Sequence, residues 1–171
     1  MTQAGTLDKL YDLIADLEIA MFTTRRPDGL LVSRPMATQA HAAGADLWFV
    51  TAKGSPKLAE LRNDDHVNLA YYKDRTREWI SVSGRARVVD DREKIHELYR
   101  PDWRAWFGDD GGQHHGTPDD PRIVLIAVDI TLAMYLELNK PQPVVLFELV
   151  KGIITDDRPD LGTPELVSKK E

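Results

Sequence analysis

Two short segments of the chain carry residue types suited to holding an anion. Ser33-Arg34-Pro35-Met36 stands at the end of a strand-like run. Arg34 offers a planar, permanently charged fork that matches a phosphate or the electron-rich edge of a ring, and Pro35 fixes the chain so that the following backbone groups are presented rigidly. On spacing alone the same residues also suit a surface ion pair on an edge strand. Thr51-Ala52-Lys53-Gly54-Ser55-Pro56-Lys57 feeds a strand into a helix start through a glycine. Free N–H groups at a helix N-terminus, a Ser hydroxyl and two Lys side chains make an anion cradle. A well-capped helix with solvated lysines uses the same residues. No G-x-x-x-x-G-K-[ST] pattern occurs, so the cradle is not a nucleotide P-loop. Neighbouring strands of a meander would bring the ends of the two segments into one region.

Other polar groups point less clearly to chemistry. His114-His115 with Asp119-Asp120 lies on a glycine-rich loop and lacks the i, i+4 presentation of a helical zinc site, so no metal is expected there. His41, His66 and His96 are scattered, without the Ser or carboxylate pattern of a triad. No side chain is marked as catalytic. Trp48 and Trp79 read as core, whereas Trp103 and Trp106 flank the glycine-rich loop, where a lid over a ligand is open to them.

The elements that must position these groups follow from apolar spacing. Leu7, Leu10, Tyr11, Leu13, Ile14 and Leu17 have the three-and-four spacing of an amphipathic helix, with Thr6 as its N-cap. Ile19–Thr24 and Leu30–Thr38 read as a hairpin around Arg25-Arg26-Pro27-Asp28-Gly29. Leu47–Thr51 is a buried strand, and the helix after it starts with Ser55 at N-cap, Pro56 at N1 and ends near Asn63. Val67–Tyr72 and Trp79–Val89 form a second hairpin, and Asp91–Tyr99 is a short helix opened by an acidic cap. The stretch from Trp103 to Pro121 is a mobile loop by composition, and Ile123–Leu138 and Val144–Val150 are the last strands. Strands joined by hairpins, not by repeated crossover helices, favour an antiparallel barrel with appended helices. Residues 1–150 form a single domain on this reading, and residues 151–171 a polar, poorly ordered C-terminal tail.

The chain's 171 residues suffice for one domain with a buried core. With 28 acidic residues against 22 Lys and Arg, the formal charge is −6, which disfavours nucleic-acid binding but leaves room for one local phosphate site. Cysteine is absent, excluding disulfides, thiolate metal sites and thiol nucleophiles. The sequence has neither a signal-like N-terminus nor an apolar run of membrane-spanning length. A cytoplasmic protein with no membrane partner is therefore expected.

Taken in order, the N-terminal helix, Ile19-Ala20-Met21-Phe22-Thr23-Thr24, Ser33-Arg34-Pro35-Met36, Leu47-Trp48-Phe49-Val50-Thr51 and Ser55-Pro56-Lys57 resemble the general stress protein branch of the pyridoxamine 5'-phosphate oxidase-like FMN-binding split-barrel superfamily. Trp79-Ile80-Ser81-Val82-Ser83-Gly84, Trp106-Phe107 and Asp120-Pro121-Arg122-Ile123-Val124-Leu125-Ile126 extend the resemblance, which covers residues 7 to 138. It implies a mainly β (α+β) fold: a six-stranded antiparallel split β-barrel with flanking short helices, paired as a homodimer with FMN, sometimes FAD, at the subunit interface. By position, Arg34, Pro35 and Met36 would line the isoalloxazine and ribityl region, Val50 and Thr51 would offer backbone contacts, and Ser55 and Lys57 would hold the phosphate. Trp106 and Phe107 would cover the cleft.

Beyond Leu132 the pattern departs from the family: Tyr135-Leu136-Glu137 stands where relatives carry a Trp, and Pro141-Gln142-Pro143 has no counterpart. The basic residues that grip pyridoxamine phosphate are not recognisable, so that activity is not carried over. The resemblance leaves two functions open. One is a flavin-dependent oxidoreductase using NAD(P)H or another small-molecule electron donor; the other is a non-catalytic module that buffers or senses flavin in a stress response.

Overall fold

The computed structural model describes residues 3–137 and 163–168. Helix α1 spans Gln3–Leu17. It begins before Thr6, which therefore lies inside the helix and does not cap it. The apolar stripe read from the sequence buries Leu10 and Ile14 at 0% and 2% exposure, which fixes the helix against the strands. Glu18 then takes a left-handed φ of 56° and turns the chain into the first strand.

The strands are β1 (Ile19–Arg25), β2 (Leu31–Ala37), β3 (Leu47–Ala52), β4 (His66–Tyr72), β5 (Trp79–Val89), β6 (Ile123–Leu136) and β7 (Glu165–Ser168). They form one antiparallel sheet in the order β2-β1-β4-β5-β6-β3. Strand β6 carries β3 along residues 123–128 and β7 along 132–135 of the same edge. The two ends of the six-strand path, β2 and β3, approach without a ladder; the Gln39 N–H donates to the Trp48 carbonyl at 2.8 Å just beyond β2. The barrel is thus split along the β2–β3 seam, as the resemblance implied. Residues 165–168 belong to the sheet, which corrects the expectation of a poorly ordered tail for that stretch; the expected strand at 144–150 lies outside the described residues.

Alternation along the strands builds two cores. Phe22, Phe49, Leu69, Val82, Ile126 and Tyr135 face inward, with Phe22 and Phe49 meeting edge-on at 5.1 Å between ring centroids. The other face of β6 is also covered: Ile123, Leu125 and Ala127 pack with Trp48 against helices α3 (Arg92–Leu98) and α4 (Trp103–Phe107). Burial on both sides explains why the first half of β6 reads as an unbroken apolar run. As expected, Asp91 caps α3, accepting from the N–H groups of Glu93 and Lys94 at 2.9 and 3.3 Å. A bulge between Ser83 and Gly84 bends β5, and only glycine fits there, because an added Cβ would meet the Asp129 carbonyl oxygen at 2.4 Å.

Among the described residues, the side of the sheet opposite the first core carries an apolar row in register. Pro35, Met21, Ala70, Ser81, Met134 and Leu166 sit side by side on successive strands. Met21, Met134 and Leu166 are 43%, 39% and 61% exposed, and Ile19 and Tyr72 extend the patch at 48% and 58%. Trp79 is half-buried at the edge of this face, not in the core where the sequence reading put it.

Candidate flavin cleft

The seam between β2 and β3 opens into a cleft of about 360 Å³. From β2 come Pro35, Met36 and Ala37, from β3 Val50, Thr51 and Ala52, and from the start of β1 Ile19. Helix α2 (Pro56–Asn63) contributes Lys57, and α4 contributes Trp106 and Phe107. Residues distant in sequence thus line one hollow: Pro35, Met36, Val50, Thr51, Lys57, Trp106 and Phe107 were all singled out from the sequence. Arg34 and Ser55, singled out with them, do not line the cleft, although Ser55 touches the Lys57 that does.

One end of the cleft is polar. Lys57 donates from Nζ to the hydroxyls of Ser55 at 2.6 Å and Thr51 at 2.8 Å. Among the described residues no carboxylate lies within ion-pair distance of it. Burial lowers the Lys57 pKa and the charge of Arg34 lowers it further, while Glu60 opposes the shift. Ser55 occupies the N-cap position of α2, yet its hydroxyl makes no capping bond. The first N–H groups of α2, that hydroxyl and the ammonium therefore lie at one end of the cleft, and among the described residues no carboxylate touches the ammonium.

Arg34 departs from expectation. It pairs across the β1–β2 ladder with Phe22, so its side chain enters the barrel. There Nη1 donates to Thr24 Oγ1 at 2.6 Å and Nη2 to Glu60 Oε2 at 2.8 Å. Thr24 closes the ring by donating to the same Glu60 oxygen at 2.5 Å. Burial disfavours the Glu60 carboxylate, but the hydrogen bonds from Thr24 and Arg34, with the charges of Arg34 and Arg26, hold its pKa below the usual range. The sequence reading missed Thr24 and Glu60. The available signal was spacing: Glu60 follows Lys57 by three residues on one helix and shares its face.

The aromatic wall is anchored at its back. Trp103 belongs to the core at 2% exposure, and its indole N–H donates to the Gln39 side-chain oxygen Oε1 at 3.0 Å, which removes it as a lid. Trp106, one turn on, is 85% exposed over the cleft. The glycine-rich loop that follows folds back onto α4: Gly116, at φ 66°, packs so closely on Arg104 that a Cβ there would lie 2.9 Å from its Cα. Asp120, fully buried, holds this return, accepting from the N–H groups of Gly116 at 2.8 Å and Arg122 at 2.9 Å and from the Arg122 guanidinium at 2.7 Å. These bonds, the Arg122 side chain first, outweigh burial and drive the Asp120 pKa far below the carboxylate range.

A family model described as pyridoxamine 5'-phosphate oxidase like matches residues 5–160. The chain belongs to that family. Protein bli-3 of Neurospora crassa, 36% identical over 166 residues, covers 95% of this chain and 77% of its own length. Among solved structures, one described as general stress protein 26 from Jannaschia sp. CCS1 superposes with a TM-score of 0.70 at 23% identity, over 98% of this chain and all (100%) of its own. The general stress FMN/FAD binding protein of Xanthomonas citri gives 0.64 at 24% identity, over 81% of this chain and 92% of its own. At these identities the two structures speak for the fold, and they agree on the split barrel of the pyridoxamine 5'-phosphate oxidase-like family.

A larger groove, of about 650 Å³, lies between Tyr11, residues 41–46, Arg85 and residues 129–131. Elsewhere Asp64, Asp65 and His66 bring ligand atoms within 4.8 Å of one another. Asp64 and Asp65 are already engaged by Arg25, His66 and Arg85. His114 and His115 join no such group among the described residues. No helix among the described residues is long and apolar enough to cross a membrane.

Proposed function

We propose that the chain binds FMN in the β2–β3 cleft, as a homodimer, and acts as a flavin-dependent oxidoreductase. The observation that carries this reading is the polar end of the cleft: a half-buried ammonium, a hydroxyl left free of capping and a helix start, all lacking an anion. The remainder of the lining is apolar, as a tricyclic ring requires, and its volume falls within the range of roughly 300–1,000 Å³ typical of ligand sites. The name of the Xanthomonas citri protein, which joins general stress to FMN/FAD binding, supports the same assignment.

When bound, the flavin would supply the redox chemistry, and the protein its position and surroundings. Pro35, Met36, Val50 and Trp106 would flank the ring and exclude water; Ser55 and Lys57 would hold the phosphate. NAD(P)H is the donor class to test first. A full complement of FMN, bleached by NADH or NADPH under anaerobic conditions at a catalytic rate, is the expected result. Tight FMN binding without bleaching by either donor would instead favour a flavin carrier or sensor in a stress response.

The second subunit is proposed from the exposed apolar row, since soluble monomers seldom leave such a continuous patch uncovered. Ile19 and Pro35 belong both to that face and to the cleft, so a partner docked there would also complete the flavin site. Light scattering should give twice the chain mass of 19.3 kDa. Met21→Asp should halve that mass and weaken FMN together; a native protein that runs as a monomer removes the dimer from the proposal.

A further inference from the structure

We propose that a second copy of the chain docks on the face of the apolar row in one register: Met21 of each copy enters the hollow above Ala70 and Ser81 of the other. The inference rests on the homodimer reading and says which residues meet.

The face is marked by an absence of charge. Beside the row from Pro35 to Leu166, the row on one side runs from Ala37 to Leu136 and the row on the other from Ser33 to Leu132. None of the three carries a charged side chain, in a chain of which 29% is charged. Arg25, His66 and Arg85 stand only in the row beyond. Depletion of charge is what separates the centre of an interface from ordinary surface. Rows about 6.6 Å apart on strands about 4.8 Å apart give the charge-free face roughly 500 Å² in plane, and more in accessible surface, which approaches the ~800 Å² that each partner of a stable dimer buries. Polar groups on the face answer one another. Thr23 and Ser33 share a hydrogen bond of 2.7 Å, and Asn68 Nδ2 donates to Ser81 Oγ at 3.0 Å and to the Val82 carbonyl at 3.1 Å. Covering paired groups costs little.

The relief of the face sets the register. Along the central row the side chains run large, small, small, large: Met21 on β1, Ala70 on β4, Ser81 on β5 and Met134 on β6. The two methionines, 43% and 39% exposed, are ridges with a hollow between them. A two-fold axis makes contacts reciprocal, so a ridge that fills the partner's hollow has its own hollow filled in return. Either ridge fits by size, and the cleft chooses between them. With the axis along the strands, over the β1–β4 pair, Met21 enters the hollow, and Ser81 and Met134 of the partner subunit come down on either side of Pro35, a residue of the cleft lining. With Met134 in the hollow, the docked strands shift toward β7 and leave Pro35 uncovered. Only the first register lets one interface both bury the face and complete the cleft. Methionine, unbranched and adaptable, suits such a knob.

Sedimentation of the full chain over a range of concentrations measures the dimer dissociation constant. Ala70 is exposed, so Ala70→Leu should leave the fold intact, with urea denaturation as the check. The variant should weaken the dimer at least about 100-fold, from overpacking at two symmetry-related contacts. A face that associated through apolar area alone would instead bind tighter with the added leucine. Exchanging knob and hollow, Met21→Ala with Ala70→Met in one chain, should restore the dimer to within about tenfold of native. An unweakened dimer in Ala70→Leu, or rescue of Ala70→Met by Met134→Ala in place of Met21→Ala, overturns the register while the homodimer stands. A native chain that sediments as a monomer leaves the face to another occupant, such as residues 138–162 of the chain itself, and overturns both.

Discussion

The groove beside Tyr11 and the cleft beside Lys57 differ in how their charges are satisfied. In the groove, the larger of the two, Arg85 holds Asp65 with two bonds of 2.9 and 3.0 Å, and Asp129 accepts from Arg87. Asp46 accepts from the Tyr11 hydroxyl and from the Ile130 N–H, both at 2.8 Å. A ligand entering there would have to displace existing contacts before making its own. In the smaller cleft the ammonium rests on two neutral hydroxyls, and among the described residues an incoming phosphate meets a charge that no carboxylate contacts. Volume alone selects the groove; unanswered charge selects the cleft, and charge is the property a ligand recognises.

The sharpest way to break this contrast is to remove the unanswered charge. Lys57→Ala should weaken FMN about 100-fold, the upper range for a hydrogen bond to a charged group, and riboflavin by less than about threefold. Fluorescence titration with both ligands measures the ratio. Equal losses would show that the ammonium does not meet a phosphate, and the cleft would then be no better marked than the groove.

The next effect is on stability and concerns the aromatic wall of the cleft. Asp120→Asn removes the charge that gathers Gly116 and Arg122, and should destabilise the fold by about 2 kcal/mol at neutral pH. The sign with pH follows from the direction of the shift. A carboxyl held below its unfolded value of about 3.9 contributes its stability in full above that value and loses it as pH falls through the folded one. Urea denaturation should therefore show the gap between native and variant protein closing in acid. A gap that stays constant, or widens on acidification, would mean that Asp120 does not anchor the loop through its charge.

The two regions were also unequally legible in the sequence. Composition and punctuation announced the strands and the α2 start, because those signals are local: the aromatic and β-branched run from Leu47 to Thr51, then Ser55 and Pro56 before a helix. The gathering of Pro35, Thr51 and Lys57 could be anticipated because hairpin connections leave few ways to arrange successive strands. The partner of Arg34 could not. Its direction depends on facing Phe22 across a ladder, and the carboxylate that receives it lies 26 residues away on another element. Trp103 and Trp106 are alike in sequence and opposite in burial, because one turn of α4 puts the first indole on Gln39 and the second over open cleft. The anchoring role of Asp120 was not legible either, because it depends on the fold bringing the Gly116 N–H and the Arg122 guanidinium to one buried carboxylate.

The smallest expected effect tests the other half of the contrast. Arg85→Ala deletes a cation from the wall of the groove, but its ion pair with Asp65 is exposed at both ends, at 58% and 44% of the side chains. Pairs of this kind contribute little, so stability should change by less than about 0.5 kcal/mol and FMN affinity by less than about threefold. The value of so small a change lies in its company. Lys57→Ala and Arg85→Ala each remove one positive charge from a hollow of the same barrel, and long-range attraction of an anionic ligand would register both similarly. A large loss at position 57 with almost none at 85 isolates the local contact. Comparable losses at both would replace a site by a diffuse field, and would shrink together as salt is raised.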